Sequence, residues 1–149
     1  MQVLAKFGRG LFRWGDVMAS FSAQVDAFVA QTEQRTTAVF KASAQDVLKD
    51  AQTPTAKGGR MRVKTGNLRN SHVSGLNGST SLSGADSYVL TIAQAKLGDK
   101  ITGGWTANYA GYREFGARGQ APDFFLRGAA QKWPQIVKAN AAKLKARIG

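Results

Sequence analysis

The side chains best suited to catalysis are few in this sequence. It has no Cys and one His, His72, which excludes thiolate chemistry, disulfides and multi-histidine metal sites. The nine carboxylates are scattered and lack the clustered Asp-x-Asp array that a hard cation needs. Glu33 and Glu114 have the chemistry of a glycosidase pair, but no pattern connects them. His72 falls in a short predicted strand, so we interpret it as structural rather than as a base.

The short sequence motifs of known enzyme classes are incomplete or absent as well. Lys64-Thr65-Gly66 matches one element of the serine β-lactamases, but the Ser-x-x-Lys that those enzymes also need does not occur. The sequence contains neither a phosphate-binding Gly-x-x-x-x-Gly-Lys-Ser/Thr loop nor a Gly-x-Ser-x-Gly elbow. We therefore predict a protein that is not an enzyme and that binds no metal and no cofactor.

The most distinctive stretch is aromatic and surrounds one carboxylate. Five aromatics fall within 17 residues: Tyr109, Tyr112, Phe115, Phe124 and Phe125. The three-residue spacing of the first three predicts a short helical turn, which Gly116 ends. Asp123, after Pro122, is expected to cap a second helix. The simplest interpretation is a dense piece of core.

Glu114 stands between these aromatics and needs a partner if it is buried. We predict that the partner is Arg69, because a forked guanidinium satisfies both carboxylate oxygens. The alternative is an exposed Glu114 that pairs with Arg113 or Arg118 and contributes little to stability.

The charge is strongly and unevenly positive, with 21 basic and 9 acidic residues and a net charge of +12. Two blocks, residues 51–85 and 124–149, contain no acid. Such blocks favour a polyanion or an acidic protein surface as neighbour, although a solvated face would have the same composition. The residues expected to face DNA or an acidic partner are Lys57, Arg60, Arg62 and Lys64.

The N-terminal part of the chain divides into two segments of different predicted structure. Residues 1–15 are expected to form an arm without a regular element, which docks on a partner through Phe7, Leu11, Phe12 and Trp14. Asp16 to Gln52 has the apolar spacing of one long helix, about 54 Å at ~1.5 Å per residue. That length exceeds what one domain covers, so the helix either breaks near residues 31–37 or extends to a partner.

With the segments that follow, the pattern predicts one α+β domain over residues 1–149. Residues 53–64 are expected to be a mobile basic loop. Thr65 is positioned to cap a short helix near Gly66. Four antiparallel strands are predicted near His72–Gly75, Ser79–Ser83, Ser87–Ala93 and Lys100–Thr106. A C-terminal helix from Asp123 to Ile148 is kinked or restarted at Pro134. No apolar run is long enough to span a membrane, so we expect a protein made and used in a cytoplasm, or in a particle assembled there.

Two stretches together resemble a known family. Residues 63–71, Val-Lys-Thr-Gly-Asn-Leu-Arg-Asn-Ser, are similar to a "TGxLRxS" segment, and residues 109–126 are similar to a "YAxxxEFG…PxxFL" segment. Both occur in this order in the tail-completion or head–tail connector (neck) proteins of long-tailed bacteriophages, the family related to the lambda minor tail protein Z. Ala117 departs from the Thr that many relatives carry. The matched positions are Thr65, Gly66, Leu68, Arg69, Tyr109, Tyr112, Glu114, Phe115, Gly116, Pro122, Phe124, Phe125 and Leu126.

The resemblance implies an antiparallel sheet covered by a long N-terminal helix and a C-terminal helix. It also implies a structural role in the virion neck, after assembly in the host cytoplasm. The partners would be further copies in a ring, six being the implied number, neighbouring neck and tail proteins, and double-stranded DNA held without sequence reading.

The alternative function is non-specific nucleic-acid binding, which the charge also favours. A nucleic-acid-binding protein is expected to show a helix-turn-helix or a stacking platform. The sequence shows neither, because its aromatics have the spacing of a core.

Overall fold

The computed structural model describes residues 4–7 and 10–149, with side chains from residue 17 onward. The chain divides into two compact units, Met1–Thr36 and Thr37–Gly149. The prediction of a single domain with a partner-docking arm remains a prediction.

The described backbone at the start of the first unit is a β-hairpin. Strand β1 (Leu4–Phe7) pairs antiparallel with β2 (Gly10–Arg13), from Leu4 opposite Arg13 to Phe7 opposite Gly10. The expectation of an arm without a regular element is therefore wrong, because strand pairing satisfies backbone groups that a helix broken by glycine would leave open. The side chains of the four predicted docking residues, Phe7, Leu11, Phe12 and Trp14, lie outside the described residues.

The long helix α1 (Trp14–Gln52) begins directly after the hairpin. The helix was predicted to begin at Asp16, which therefore lies inside it. The helix has no break at residues 31–37. The Thr32 and Thr36 hydroxyls donate to the Phe28 and Thr32 carbonyls at 2.9 and 2.8 Å, so these polar residues bond along the helix rather than ending it.

The second unit contains the end of α1 and a small sheet. A 3₁₀ turn (Thr55–Lys57) and helix α2 (Asn67–Asn70) lead to strands β3 (His72–Leu76) and β4 (Leu82–Ser83). Helix α3 (Ser87–Gln94) precedes strand β5 (Ile101–Trp105). The sheet has the antiparallel order β4-β3-β5, with His72 opposite Trp105 and Leu76 opposite Ile101. The α+β class is confirmed.

This sheet has three strands rather than about four, because residues 87–93 form helix α3 instead of a strand. The buried residues around this helix are Tyr88, Thr91, Ile92 and Ala95, which is helical i, i+3, i+4, i+7 spacing. The β-formers Val89 and Leu90 are exposed and suggested a strand only through their composition.

Three helices complete the chain: α4 (Ala110–Phe115), α5 (Phe125–Ala130) and α6 (Trp133–Ile148). The restart at Pro134 is confirmed, since proline occupies the first turn of α6. Helix α5 begins at Phe125, and Asp123 is not its cap. The short turn at residues 110–115 and its end at Gly116 are also as predicted.

The second unit has two buried apolar clusters. Ala44, Tyr88 and Ile92 form the first, with Leu48 and Ile101 against them. The second unites Met61, Leu68 and Phe125, and is flanked by Trp105, Ala107, Tyr109 and Ala110. The second cluster therefore joins the two stretches that carry the family resemblance.

The basic segment 53–64 contributes Met61 to that cluster, with no exposed surface. The Thr55 N–H donates to the Met61 carbonyl at 3.0 Å, and Gly59 lies too close to Thr53 for a side chain. Met61 therefore anchors this segment, and the mobility predicted for residues 53–64 stays a prediction.

A candidate interaction surface built from the two motifs

The two motifs share one cavity. Residues 62–69, together with Tyr109 and Arg113, line this half-open cavity of about 270 Å³. Gly66 has a left-handed backbone (φ 79°), which Gly adopts without strain, and the Asn67 N–H donates to the Thr65 hydroxyl at 3.3 Å. The structure therefore brings together the predicted site residues of both motifs, although about 40 residues separate them in sequence.

Glu114 is buried, as predicted, but its partner is not Arg69. Its two carboxylate oxygens accept the N–H groups of Leu126 and Arg127 at 2.9 and 2.8 Å. These N–H groups belong to the first turn of α5, where no helical carbonyl is available to them. Helix α4 thus supplies the cap of helix α5. The prediction failed because it considered only side chains as partners.

Arg69 turns instead to the end of α1. Its Nε donates to the Gln52 carbonyl at 2.8 Å, and the Gln52 side chain donates to the carbonyls of Arg69 and Ala85 at 3.0 and 2.8 Å. The Gln52 amide oxygen accepts the Trp105 indole N–H at 2.9 Å. Buried Gln52 therefore connects the end of α1 to Arg69, Ala85 and Trp105. Sequence reasoning missed it, since a single Gln before a predicted stop carries no signal.

Asp123 and Arg62 connect the basic segment to the second motif. The Asp123 carboxylate accepts both the backbone N–H of Arg62, at 3.1 Å, and the guanidinium Nε of the same residue. The Asp123 side chain is almost fully buried, whereas that of Arg62 is partly exposed. Of the residues expected to face DNA, Arg62 is therefore committed to an ion pair inside the chain.

The other three residues of that set have different surroundings. Lys57 and Lys64 are exposed, and Lys64 borders the shared cavity. The Arg60 guanidinium lies over Gly128, only 2.6 Å from where a β-carbon would stand, so any larger residue there would displace it. Arg60 is also exposed, so Lys57, Arg60 and Lys64 remain available to a polyanion or an acidic surface.

His72 is fully buried, and its interpretation as a structural residue rather than a base stays a prediction. Its Nδ1 lies 2.9 Å from the Ser87 hydroxyl, and its ring meets Trp105 and Tyr88 edge-on at 5.0 and 5.9 Å. Burial lowers the pKa of His72 below its ordinary value of 6.5. Burial thus favours the neutral form of the ring in the folded chain.

The predicted core of aromatics is exposed at two of its members. Tyr112 and Phe115, on α4, keep 66% and 63% of their surface. The Arg127 guanidinium lies 5.3 Å from the centre of the Phe115 ring and 5.4 Å from that of Phe124. Arg113 and Arg118 line an adjoining cavity of about 330 Å³ with Tyr112. We call this the aromatic–arginine face, defined by Tyr112, Arg113, Phe115, Arg118, Phe124, Leu126 and Arg127.

The loop behind this face is tightly closed. Asp123 and Phe124 donate their N–H groups to the carbonyls of Arg113 and Glu114 at 2.6 and 3.3 Å. Gly116 has a positive φ of 80° and lies against the backbone of Gln120 and Pro122, so a side chain there meets both strain and collision. Gly116 and Pro122, both in the motif, therefore shape the loop that positions the face.

Comparisons with protein families, with curated proteins and with solved structures found no match. Within the part of the chain that the structure describes, no three metal-ligating side chains cluster. No helix among the described residues has the length and apolarity needed to cross a membrane.

Proposed function

We propose that this chain is a structural virion protein of the head–tail junction of a long-tailed bacteriophage. It acts as a tail-completion or connector protein, by assembling into a ring around the DNA channel.

One observation carries this proposal. The two stretches that resemble the neck proteins pack on each other, through Leu68 and Phe125 in one cluster and around one cavity. A chance similarity of two separate short motifs has no reason to produce one packed unit. Their contact therefore supports a common function for both.

The exposed apolar residues of α1 support assembly. Phe21 and Phe28 keep 61% and 69% of their surface, on a helix that continues to Gln52. Large exposed apolar patches are typical of protein interfaces. The net charge of +12 suits a wall beside DNA, because phosphate attraction needs no sequence reading.

The test is assembly of the purified chain, measured by mass photometry and by cryo-electron microscopy. We expect closed rings, with six copies as the implied number, and the same rings at the neck of particles. Deletion of residues 1–15 should lower the ring population or block the joining of tails to heads. A chain that stays monomeric at every concentration, or is missing from particles, contradicts the proposal.

Non-specific nucleic-acid binding is the second candidate, favoured by the aromatic–arginine face. Exposed aromatic rings beside arginines are the combination on which single strands stack. Under this alternative, Tyr112→Ser with Phe115→Ser weakens binding of an oligothymidine in fluorescence anisotropy, and the chain binds DNA without forming rings. Under the neck proposal, the same change acts on assembly instead.

A further inference from the structure

The first described part of α1 has an apolar stripe with the spacing of a helix–helix seam. Met18, Phe21, Val25 and Phe28 follow each other at intervals of three, four and three residues, and all are exposed. Val17 and Val29 widen the stripe on either side and are exposed as well. Along about 12 residues, or roughly 18 Å of helix, this surface faces solvent.

The same part of α1 has an unusual charge for this chain. Residues 14–34 contain Asp16, Asp26 and Glu33, three of the nine acids, and no Lys or Arg. Val29 lies three residues after Asp26 and four before Glu33, so both acids border the stripe on one side. Asp26 is exposed. The helix segment is therefore apolar and acidic in an otherwise basic protein.

The aromatic–arginine face has the complementary character. Tyr112, Phe115 and Leu126 are exposed apolar groups. Of the nearby acids, Asp123 is paired with Arg62, and Glu114, whose oxygens accept two backbone N–H groups, adds one negative charge against three arginines. Arg113, Arg118 and Arg127 therefore give the face a net positive charge.

We propose that the apolar stripe of α1 in one copy docks on the aromatic–arginine face of a second copy, with Asp26 beside its arginines. This inference rests on the ring assembly proposed above and names the contact that builds it. Donor and acceptor are different surfaces, so the contact is head-to-tail, and each docked pair leaves one stripe and one face free. Such contacts close into a ring when the rotation per copy allows.

The composition of the two surfaces is that of protein interfaces. Tyr, Phe and Arg are enriched at the centre of interfaces, and Tyr and Arg are among the residues that dominate affinity. The opposite charges predict faster association at low salt, since exposed charges are screened beyond about 8–10 Å at physiological ionic strength.

The test uses two defective variants of the full chain. The donor variant carries Phe21→Ser and Phe28→Ser, and the acceptor variant carries Tyr112→Ser and Phe115→Ser. We expect each alone to associate at least about tenfold more weakly, as judged by sedimentation velocity. In a mixture, the intact stripe of the acceptor variant should dock on the intact face of the donor variant. The product should be dimers that do not grow into rings.

The matched control is Leu90→Ser with Leu97→Ser, which removes two exposed apolar side chains outside both surfaces. Its assembly should equal that of the unaltered chain. Circular dichroism of every variant checks that the fold is kept.

A charge exchange makes the test independent of folding effects. Asp26→Lys and Arg113→Glu should each weaken association, and chains with both changes should recover it. Lys143→Glu, on α6 and exposed, controls for net charge.

Three results overturn the inference. An acceptor variant that assembles normally shows that stripes pair with each other or with another surface. An acceptor variant that assembles normally but loses oligothymidine binding assigns the face to nucleic acid. No recovery in either the mixture or the charge exchange removes the contact. Rings that form by this contact but are missing from particles contradict only the neck function, so the two failures are distinguishable.

Discussion

The two units of the chain differ in what they leave exposed and in what they bury. In residues 17–36, the described helix of the first unit leaves its valines, methionine and phenylalanines in solvent. The second unit buries polar groups as well as its apolar clusters: Ser43, Gln52, His72, Ser74, Thr91, Glu114, Asp123 and Asn140. Within α1 itself, the exposed Phe28 and the buried Gln52 belong to one helix.

This contrast separates the interactions that stabilise the fold from those that stabilise association with another surface. A buried polar group stabilises the fold only while its hydrogen bonds are made, so the second unit depends on particular partners. An exposed apolar group adds little to the stability of its own chain and gains free energy only when another surface covers it. Changes in the second unit should therefore affect folding, and changes in the first should affect association.

The largest effect is expected at Gln52. Gln52→Leu removes the partners of the Trp105 N–H and of the Arg69 and Ala85 carbonyls. We expect the free energy of unfolding to fall by about 3 kcal/mol, because buried groups left unpaired cost roughly 1–3 kcal/mol each. Urea unfolding followed by circular dichroism measures this. Gln34→Leu, exposed in the same helix, should change it by less than about 0.5 kcal/mol. Equal losses of unfolding free energy in both variants would show that the buried and the exposed glutamine contribute equally to stability.

Glu114→Gln should come next. The amide keeps one oxygen for the N–H groups of Leu126 and Arg127, and places an NH₂ group where the second oxygen accepted a bond. The expected loss is about 2 kcal/mol, since hydrogen bonds to a charged group contribute roughly 1.5–3 kcal/mol. Asp26→Asn, an exposed site in the first unit, is the control and should leave unfolding unchanged. A stable Glu114→Gln chain would show that α5 needs no cap.

Acid should weaken the second unit gradually through His72. Because burial lowers the pKa of His72 below 6.5, the unfolded chain binds more protons than the folded one just below that pH. The free energy of unfolding should therefore fall as the pH falls through about 6.5 towards the lowered pKa, and be constant above it.

His72→Gln should remove this pH dependence, whatever its own effect on stability. Asp99 does not interfere, because hydrogen bonds from Lys96 and Asn77 lower its pKa from 3.8 and its contribution is lost only at more acid pH. An unchanged slope in His72→Gln would assign the pH effect to another group.

The smallest effect on folding is expected from the stripe. Phe28→Ser alone should change the free energy of unfolding by less than about 0.5 kcal/mol, although it removes a large apolar side chain. A buried Phe truncated to a small residue would cost roughly 3–5 kcal/mol. Thermal unfolding at low protein concentration separates the two cases, and a loss of that size would show that Phe28 is covered in the isolated chain.

The periodic elements were predictable from sequence, whereas the partners of buried polar groups were not. Helix α1, strands β3 and β5 and the restart at Pro134 follow from spacing and from backbone rules for Pro and Gly. Helix α3 was missed because Val89 and Leu90 are typical strand residues. The helix is instead indicated by which side chains are buried, and that burial is set by packing that the local sequence does not show. The pairing of β1 with β2 was missed because the glycines of this stretch were treated only as helix breakers.

The candidate surface was half predictable. The motif residues were correctly grouped, and Glu114 was correctly expected to be buried. The exposure of Tyr112 and Phe115 depends on where α4 lies relative to α5, which local spacing does not contain. The partner of Glu114 and the role of Gln52 depend on backbone groups, which look alike in every sequence.

The cap on α5 has a consequence for how this protein varies among relatives. Because Glu114 binds the backbone N–H groups of residues 126 and 127, every amino acid except proline can occupy those two positions without losing the bonds. Position 114 has no such freedom. An alignment of relatives should therefore show an invariant Glu114 that co-varies with no other column, and proline should be missing from columns 126 and 127.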